Sequence, residues 1–233
     1  MASRFPESLR QEVFLANLRL VEAGLVVGTW GNASGYDAES GLVAIKPSGL
    51  PYGDLRPEHL VVVDLDGAVV EGELRPSSDL PTHLELYRRF PGLGGVAHTH
   101  STAATAFAQA RRPLPCLGTT HADHFRGTVP VTRDLHPEET ANEYELNTGR
   151  VIVATFANLE PLQIPAVLVA QHGPFTWGPS PRAASENSVV LEAVAQMALR
   201  TYALAADAQP APDHLIDRHF LRKHGPGAYY GQR

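Results

Sequence analysis

A chain of 233 residues, 43% hydrophobic and 19% charged, is long enough to bury a substantial core, and no window approaches eighteen uninterrupted apolar residues, which excludes a membrane helix. A formal net charge of -6 gives no basic footprint for nucleic acid, and the single cysteine, Cys116, excludes an intrachain disulfide. With no basic segment and apolar core of a secretory leader at the N-terminus, the expected location is the cytoplasm.

The first periodic stretch is residues 5–24, where Phe5, Leu9, Val13, Leu15, Leu18 and Val21 recur at helical spacing and Gly24 supplies a stop. Short strands follow over 29–36 and 42–45, then 59–64 and 68–70 around the hairpin signal Asp66-Gly67. A helix is expected from Asp79 to Phe90, a strand over 94–99 and an alanine-rich helix from Ser101 to Ala110. Residues 119–125 read as a polar loop. A helix over 137–148, a strand over 150–155 and a strand running into His172 come next. The longest helical pattern covers 182–205, and a last short helix covers 212–223. Early hairpins followed by interleaved helices and strands predict a single α/β domain over 1–233, a three-layer α/β/α sandwich with a central mixed, largely antiparallel sheet.

Within this frame the segment Gly94-Gly95-Val96-Ala97-His98-Thr99-His100 stands out. Two histidines two residues apart at the end of an apolar run share one face of a strand. His172 ends a second apolar run, and three such imidazoles suffice to seat a divalent metal and leave coordination open. Packing or hydrogen bonding of the same rings is the plainer alternative. Three small polar loops accompany them: Trp30-Gly31-Asn32-Ala33-Ser34-Gly35, Lys46-Pro47-Ser48-Gly49 and Pro76-Ser77-Ser78-Asp79. Their backbone N–H groups suit an anion, and so does the predicted helix start at Asp79. Turn and N-cap chemistry explains the same residues locally. Asp79 either caps its helix or faces the metal. Asp123 and His121, in Thr119-Thr120-His121-Ala122-Asp123-His124-Phe125, are candidate acid/base groups or turn residues. Cys116 lacks an identified base and reads as a small apolar residue, and the basic run from Arg218 to His224 reads as a solvated helix end.

Taken in order, these motifs, with His172-Gly173-Pro174-Phe175, Arg222-Lys223-His224-Gly225 and Ala228-Tyr229-Tyr230-Gly231, resemble the class II sugar-phosphate aldolase/epimerase family. The similarity is greatest to its L-ribulose-5-phosphate 4-epimerase branch and runs from about residue 9 to the C-terminus. The resemblance implies one divalent metal per subunit, zinc foremost with manganese or cobalt as other options, held by His98, His100 and His172, with Asp79 where the aldolase branch has a metal-associated glutamate. It implies that Gly31, Asn32, Ser48, Gly49, Ser77 and Ser78 bind a phosphorylated ketopentose, with Lys46 assisting. Asp123 and Tyr230 would be the paired acid/base groups, supported by Thr119, His121, His219 and Arg222. The family is a fourfold-symmetric homotetramer whose active sites lie between subunits, with the Asp123 and Tyr230 equivalents supplied by the neighbour. His124 departs from the pattern, since the epimerases usually carry tyrosine there.

The implied activity is interconversion of L-ribulose 5-phosphate and D-xylulose 5-phosphate, a step of pentose use such as arabinose catabolism. C4 is not adjacent to the carbonyl, so its C–H is not acidic and simple deprotonation cannot invert it. Retro-aldol cleavage of C3–C4, rotation of the aldehyde and re-addition can. That route needs a Lewis acid for the enediolate, an anchor for the phosphate and two proton-transfer groups, one on each side. An aldolase acting on a sugar 1-phosphate such as L-fuculose 1-phosphate is the alternative within the family. A non-catalytic binding module like the adducin head is the alternative outside catalysis.

Overall fold

Seven strands form one sheet in a computed structural model that describes residues 5–231. In chain order they are β1 (Asn32–Asp37), β2 (Leu42–Ile45), β3 (Val61–Asp64), β4 (Val69–Glu71), β5 (Gly95–His98), β6 (Ala166–Val169) and β7 (Gly173–Gly178). Their spatial order is β4-β3-β2-β1-β5-β7-β6. Every ladder between these strands is antiparallel, and the parallel component is the isolated bridge between Val131 and Leu168. The helices are α1 (Glu7–Glu22), α2 (Leu80–Arg89), α3 (Thr102–Gln109), α4 (Thr119–Ala122), α5 (Pro137–Ala141), α6 (Tyr144–Thr155), α7 (Pro181–Leu204) and α8 (Asp213–His224).

Side chains alternate across each strand, so one strand feeds two cores. Val43, Ile45, Val61, Val63, Val96 and Trp177 face one way and pack with Leu84, Leu86 and Phe90 of the α2 region and with Ile152 and Phe156 at α6. Leu42, Ala44 and Val62 face the other way, onto Phe5 and Val13. Ala33 and Ala97 meet Ala16 and Leu20 of α1 and Ala184 of α7. The α/β/α layering follows, and each large apolar side chain so buried stabilises the fold by about 1.5–3 kcal/mol. Among the described residues no helix is long and apolar enough to cross a membrane.

Several local expectations change in the fold. The stripe on α1 is rotated: Val13, Ala16, Asn17 and Leu20 are buried, while Leu15 and Val21 are exposed. β1 starts at Asn32 rather than at 29, because Gly28 and Gly31 adopt positive φ and turn the chain first. Residues 57–59 form a 3-10 turn ahead of β3. Thr119–Ala122 is one helical turn rather than loop. The expected helix over 137–148 is split by Glu143 at φ 48°, and residues 150–155 continue α6 rather than form a strand. Their β-branched side chains favour a strand locally, but Val151 and Ile152 are buried from a helix that packs on α2. β7 was not legible: both its faces are buried, so Gly173–Gly178 has no polar alternation. His172 therefore lies in the turn between β6 and β7, not on a strand.

Candidate active site

The site gathers at one end of the central strands. Pairing places Asn32 of β1 opposite His98 of β5, and Phe175 of β7 opposite His98 on the other side. His100 lies just beyond β5, and the β6–β7 turn brings in His172. The three imidazole centroids are 4.9, 4.8 and 5.1 Å apart, and one nitrogen of each lies within 4.8 Å of the others. His98 stacks on Phe175 at 4.1 Å, and its Nδ1 donates to the Pro174 carbonyl at 2.9 Å. That bond leaves His98 Nε2 as the lone-pair nitrogen, 3.0 Å from His100 Nε2.

Burial pushes the His172 pKa down to about 3, with His98 and His100 adding to the shift. Burial, then His98, lowers His100 as well. Rings kept unprotonated with converging nitrogens have the chemistry a divalent cation requires, and the donor set fits one.

Asp79 lines the same cleft beside this trio. It precedes α2 but its side chain makes no cap; Oδ2 instead accepts from Asn32 Nδ2 at 2.6 Å. Burial raises the Asp79 pKa, but His98, His83 and the Asn32 hydrogen bond outweigh it and hold the carboxyl below its ordinary value. Asn32 Nδ2 also reaches Ser77 Oγ at 3.1 Å, while Asn32 Oδ1 is a buried acceptor without a partner.

Opposite stands Lys46, 1% exposed, its Nζ over the Tyr52 ring at 4.7 Å and donating to the Pro47 carbonyl at 3.3 Å. Burial lowers its pKa. The loops that carry Lys46 and Ser77 are tied by Ser48 N to Arg75 O, by Ser77 N to Lys46 O and by a bridge between Pro47 and Pro76. Ser48, Gly49, Ser77 and Ser78 line the cleft with them. So does Gly31, at φ 73°, where a Cβ would lie 2.8 Å from the His98 carbonyl. The cleft has a volume of about 420 Å³ and is bordered by polar groups, as an anionic ligand needs.

The other candidates assemble elsewhere. Asp123, at the end of α4, accepts from Arg222 Nε at 2.9 Å, Arg222 Nη2 at 2.6 Å and His219 Nδ1 at 3.0 Å on α8. Burial opposes its ionisation, but these bonds hold its pKa below the ordinary range. Tyr230 lies over Arg222 at 4.8 Å and Lys223 at 4.5 Å, with its ring exposed. Within one chain neither Asp123 nor Tyr230 borders the histidine cleft. Thr119 and His121 line a separate groove against α7, and His121, buried, bonds the Gly127 carbonyl through Nε2. His124 Nε2 is 3.4 Å from Lys223 Nζ, and burial takes its pKa to about 4. Cys116 is buried. Arg218–His224 is a helix end as expected, yet Arg222 and Lys223 are turned onto Asp123.

Sequence reasoning missed Tyr144 and Glu145, which border the cleft from the start of α6. Tyr144 Oη is 3.2 Å from His172 Nδ1. It also missed His83, fully buried, with Nδ1 2.7 Å from Ser34 Oγ and Nε2 unpartnered. His83 is one helical turn beyond Asp79 and was legible by that spacing. Nothing in the pattern around Tyr144 marked it.

The profile of the Class II Aldolase and Adducin N-terminal domain matches residues 11–199. A Salmonella paratyphi A (strain ATCC 9150 / SARB42) protein named L-ribulose-5-phosphate 4-epimerase UlaF is 55% identical over 227 residues, 97% of this chain and 100% of that one. A protein of the same name from Salmonella typhi gives the same figures. Among solved structures, an L-fuculose 1-phosphate aldolase superposes with TM-score 0.78 at 29% identity, covering 94% of this chain and 96% of that one. YgbL of Klebsiella pneumoniae, a putative aldolase/epimerase/decarboxylase, superposes at 0.73 with 26% identity, covering 92% and 99%.

Proposed function

The chain belongs to the Class II Aldolase and Adducin N-terminal domain family, and from that premise we propose that it is an isomerase that inverts C4 of L-ribulose 5-phosphate to give D-xylulose 5-phosphate. The observation that carries the reading is the meeting, in one cleft, of three converging imidazoles with the buried cation Lys46. One end of such a cleft suits an enediol and the other a phosphate.

His98, His100 and His172 would hold a divalent cation, zinc foremost, beside Asp79. Bound there, the cation supplies Lewis-acid stabilisation of the negative charge that develops on the C2 and C3 oxygens during cleavage. The remaining work falls to the chain itself. Lys46 and the groups of Ser48, Gly49, Ser77 and Ser78 hold the phosphate, so the aldehyde fragment turns without leaving. Asn32, whose amide is committed to Asp79 and Ser77, keeps the two ends of the cleft in register. Asp123 and Tyr230 move the C4 hydroxyl proton, one before rotation and one after. Arg222 and His219 aim the Asp123 carboxylate. Because both groups stand outside the cleft of their own chain, a neighbouring copy supplies them, in a homotetramer with active sites between subunits. The whole chain serves as one domain in the cytoplasm, where a lone buried cysteine needs no oxidising compartment.

The deciding experiment incubates metal-loaded protein with L-ribulose 5-phosphate and follows D-xylulose 5-phosphate and free glycolaldehyde phosphate separately. Interconversion with little free aldehyde supports the proposal. Cleavage of L-fuculose 1-phosphate without epimerisation would make the protein an aldolase, and absence of both reactions and of bound metal would make it a binding module.

A further inference from the structure

His98 and His100 are placed by β5 and its immediate continuation. His172 has no such support. It sits in the β6–β7 turn directly after Gln171, a non-glycine residue at φ 61°, so its backbone is held away from the regular ladder. What orients its ring is a contact from another layer, Tyr144 Oη at 3.2 Å from Nδ1. A histidine that offers Nε2 as a lone pair carries its proton on Nδ1, so His172 donates and the phenol oxygen accepts. The phenol borders the cleft and has the Thr148 side chain as a further hydrogen-bond neighbour.

Tyr144 is itself held firmly. It is the first residue of α6, entered through Glu143 at φ 48°. Asn147 Nδ2 closes this bend by donating to the Asn142 and Glu139 carbonyls at 2.7 and 3.2 Å. Thr82 of α2 donates to the Glu145 carbonyl at 2.5 Å. One turn further along α6, Gly149 lies so close to α2 that a Cβ there would be 2.8 Å from Glu85 Cβ. Asp79 immediately precedes the same α2. One helix therefore sets the height of Asp79 and, through Thr82 and Gly149, of Tyr144.

We propose that Tyr144 is a positioning residue of the three-histidine centre, aiming His172 Nε2 into the cleft, and that the close α2–α6 contact at Gly149 sets the reach of its phenol. The inference rests on the reading of the cleft as a divalent-metal centre.

The test uses metal-stripped full-length protein, titrated with Zn2+ or Co2+ against a competing chelator, with the thermal midpoint of the metal-free form measured alongside. Tyr144→Phe is expected to weaken metal affinity by about 10–100-fold, as removal of a ligand's outer partner typically does, with the metal-free midpoint unchanged. Gly149→Ala, which lifts α6 off α2, is expected to weaken affinity too, and to do so less in the Tyr144→Phe background, because both changes act through one contact. Affinity within about twofold of the wild type for Tyr144→Phe would overturn the positioning role. Full additivity of the two changes would overturn the link through α2. Failure of the wild type to bind either cation would instead overturn the reading of the centre.

Discussion

Replacing Lys46 by methionine isolates the anion end of the cleft. Methionine keeps the apolar stem against Tyr52 and removes only the ammonium. In the fold Lys46 is 1% exposed, and its ammonium has one long bond to the Pro47 carbonyl at 3.3 Å and the face of Tyr52 at 4.7 Å. Neither contact replaces hydration, and burial lowers its pKa. The ligand-free protein therefore carries a destabilising charge, present at neutral pH and relieved only as the lysine deprotonates at higher pH. Lys46→Met is expected to raise the thermal midpoint of the ligand-free protein.

Function should move the other way. A unit charge pair at about 4 Å in an effective dielectric of about 20 is worth about 4 kcal/mol, equivalent to about 1,000-fold in kcat/KM. A loss of about 100- to 1,000-fold is expected for L-ribulose 5-phosphate, with unphosphorylated L-ribulose nearly unaffected. Inorganic phosphate should raise the midpoint of the wild type more than that of the variant. Equal loss on both sugars, or a lowered midpoint without ligand, would refute the reasoning.

His98→Asn should abolish divalent-cation binding in a chelator competition while circular dichroism of the variant stays folded, since Phe175 and the β-ladder hold the position from both sides. Asn32→Asp puts a carboxylate where an amide now donates to Asp79 at 2.6 Å, and turnover of the phosphorylated substrate should fall steeply; unchanged kinetics would reduce the loop to a turn. Asp123→Asn should depress epimerisation by about 10²–10⁴-fold. Mixing it with His98→Asn should restore activity if subunits exchange and share sites, and no recovery despite proven exchange would place both groups in one subunit. The metal-free protein should lose stability as pH falls from about 6.5 toward about 4. Burial holds His83 at about 3, His121 at about 4, His124 at about 4 and His172 at about 3, so in this window the unfolded chain binds more protons than the fold. A urea midpoint that stays flat between pH 7 and 5 would contradict these buried neutral rings.

Much of the cleft was legible without coordinates because its groups sit in short, self-contained segments. His98 closes β5 and His100 follows just past its end, yet the two-residue spacing of extended chain still brings the pair together, and Lys46-Pro47-Ser48-Gly49 and Pro76-Ser77-Ser78-Asp79 are turns written in glycine, proline and serine. Helices α1, α2, α3, α7 and α8 were likewise readable from spacing and stop residues. The segment over 150–155 was not, because β-branched propensity is weak beside the packing of Gly149 and Ile152 onto α2. β7 was hidden because burial on both faces erases the alternation that marks a strand. Contacts between distant segments belong to the fold alone: Asn32 drawn to Asp79 rather than to the backbone, Asp123 clasped by Arg222 and His219 almost a hundred residues away, and Tyr144 set against His172. The sequence by itself determined which chemistry this protein carries, because ligands, turns and caps are local. Only the tertiary structure decided how those groups are aimed, because orientation is set by sheet register and helix packing, which sum over residues far apart in the chain.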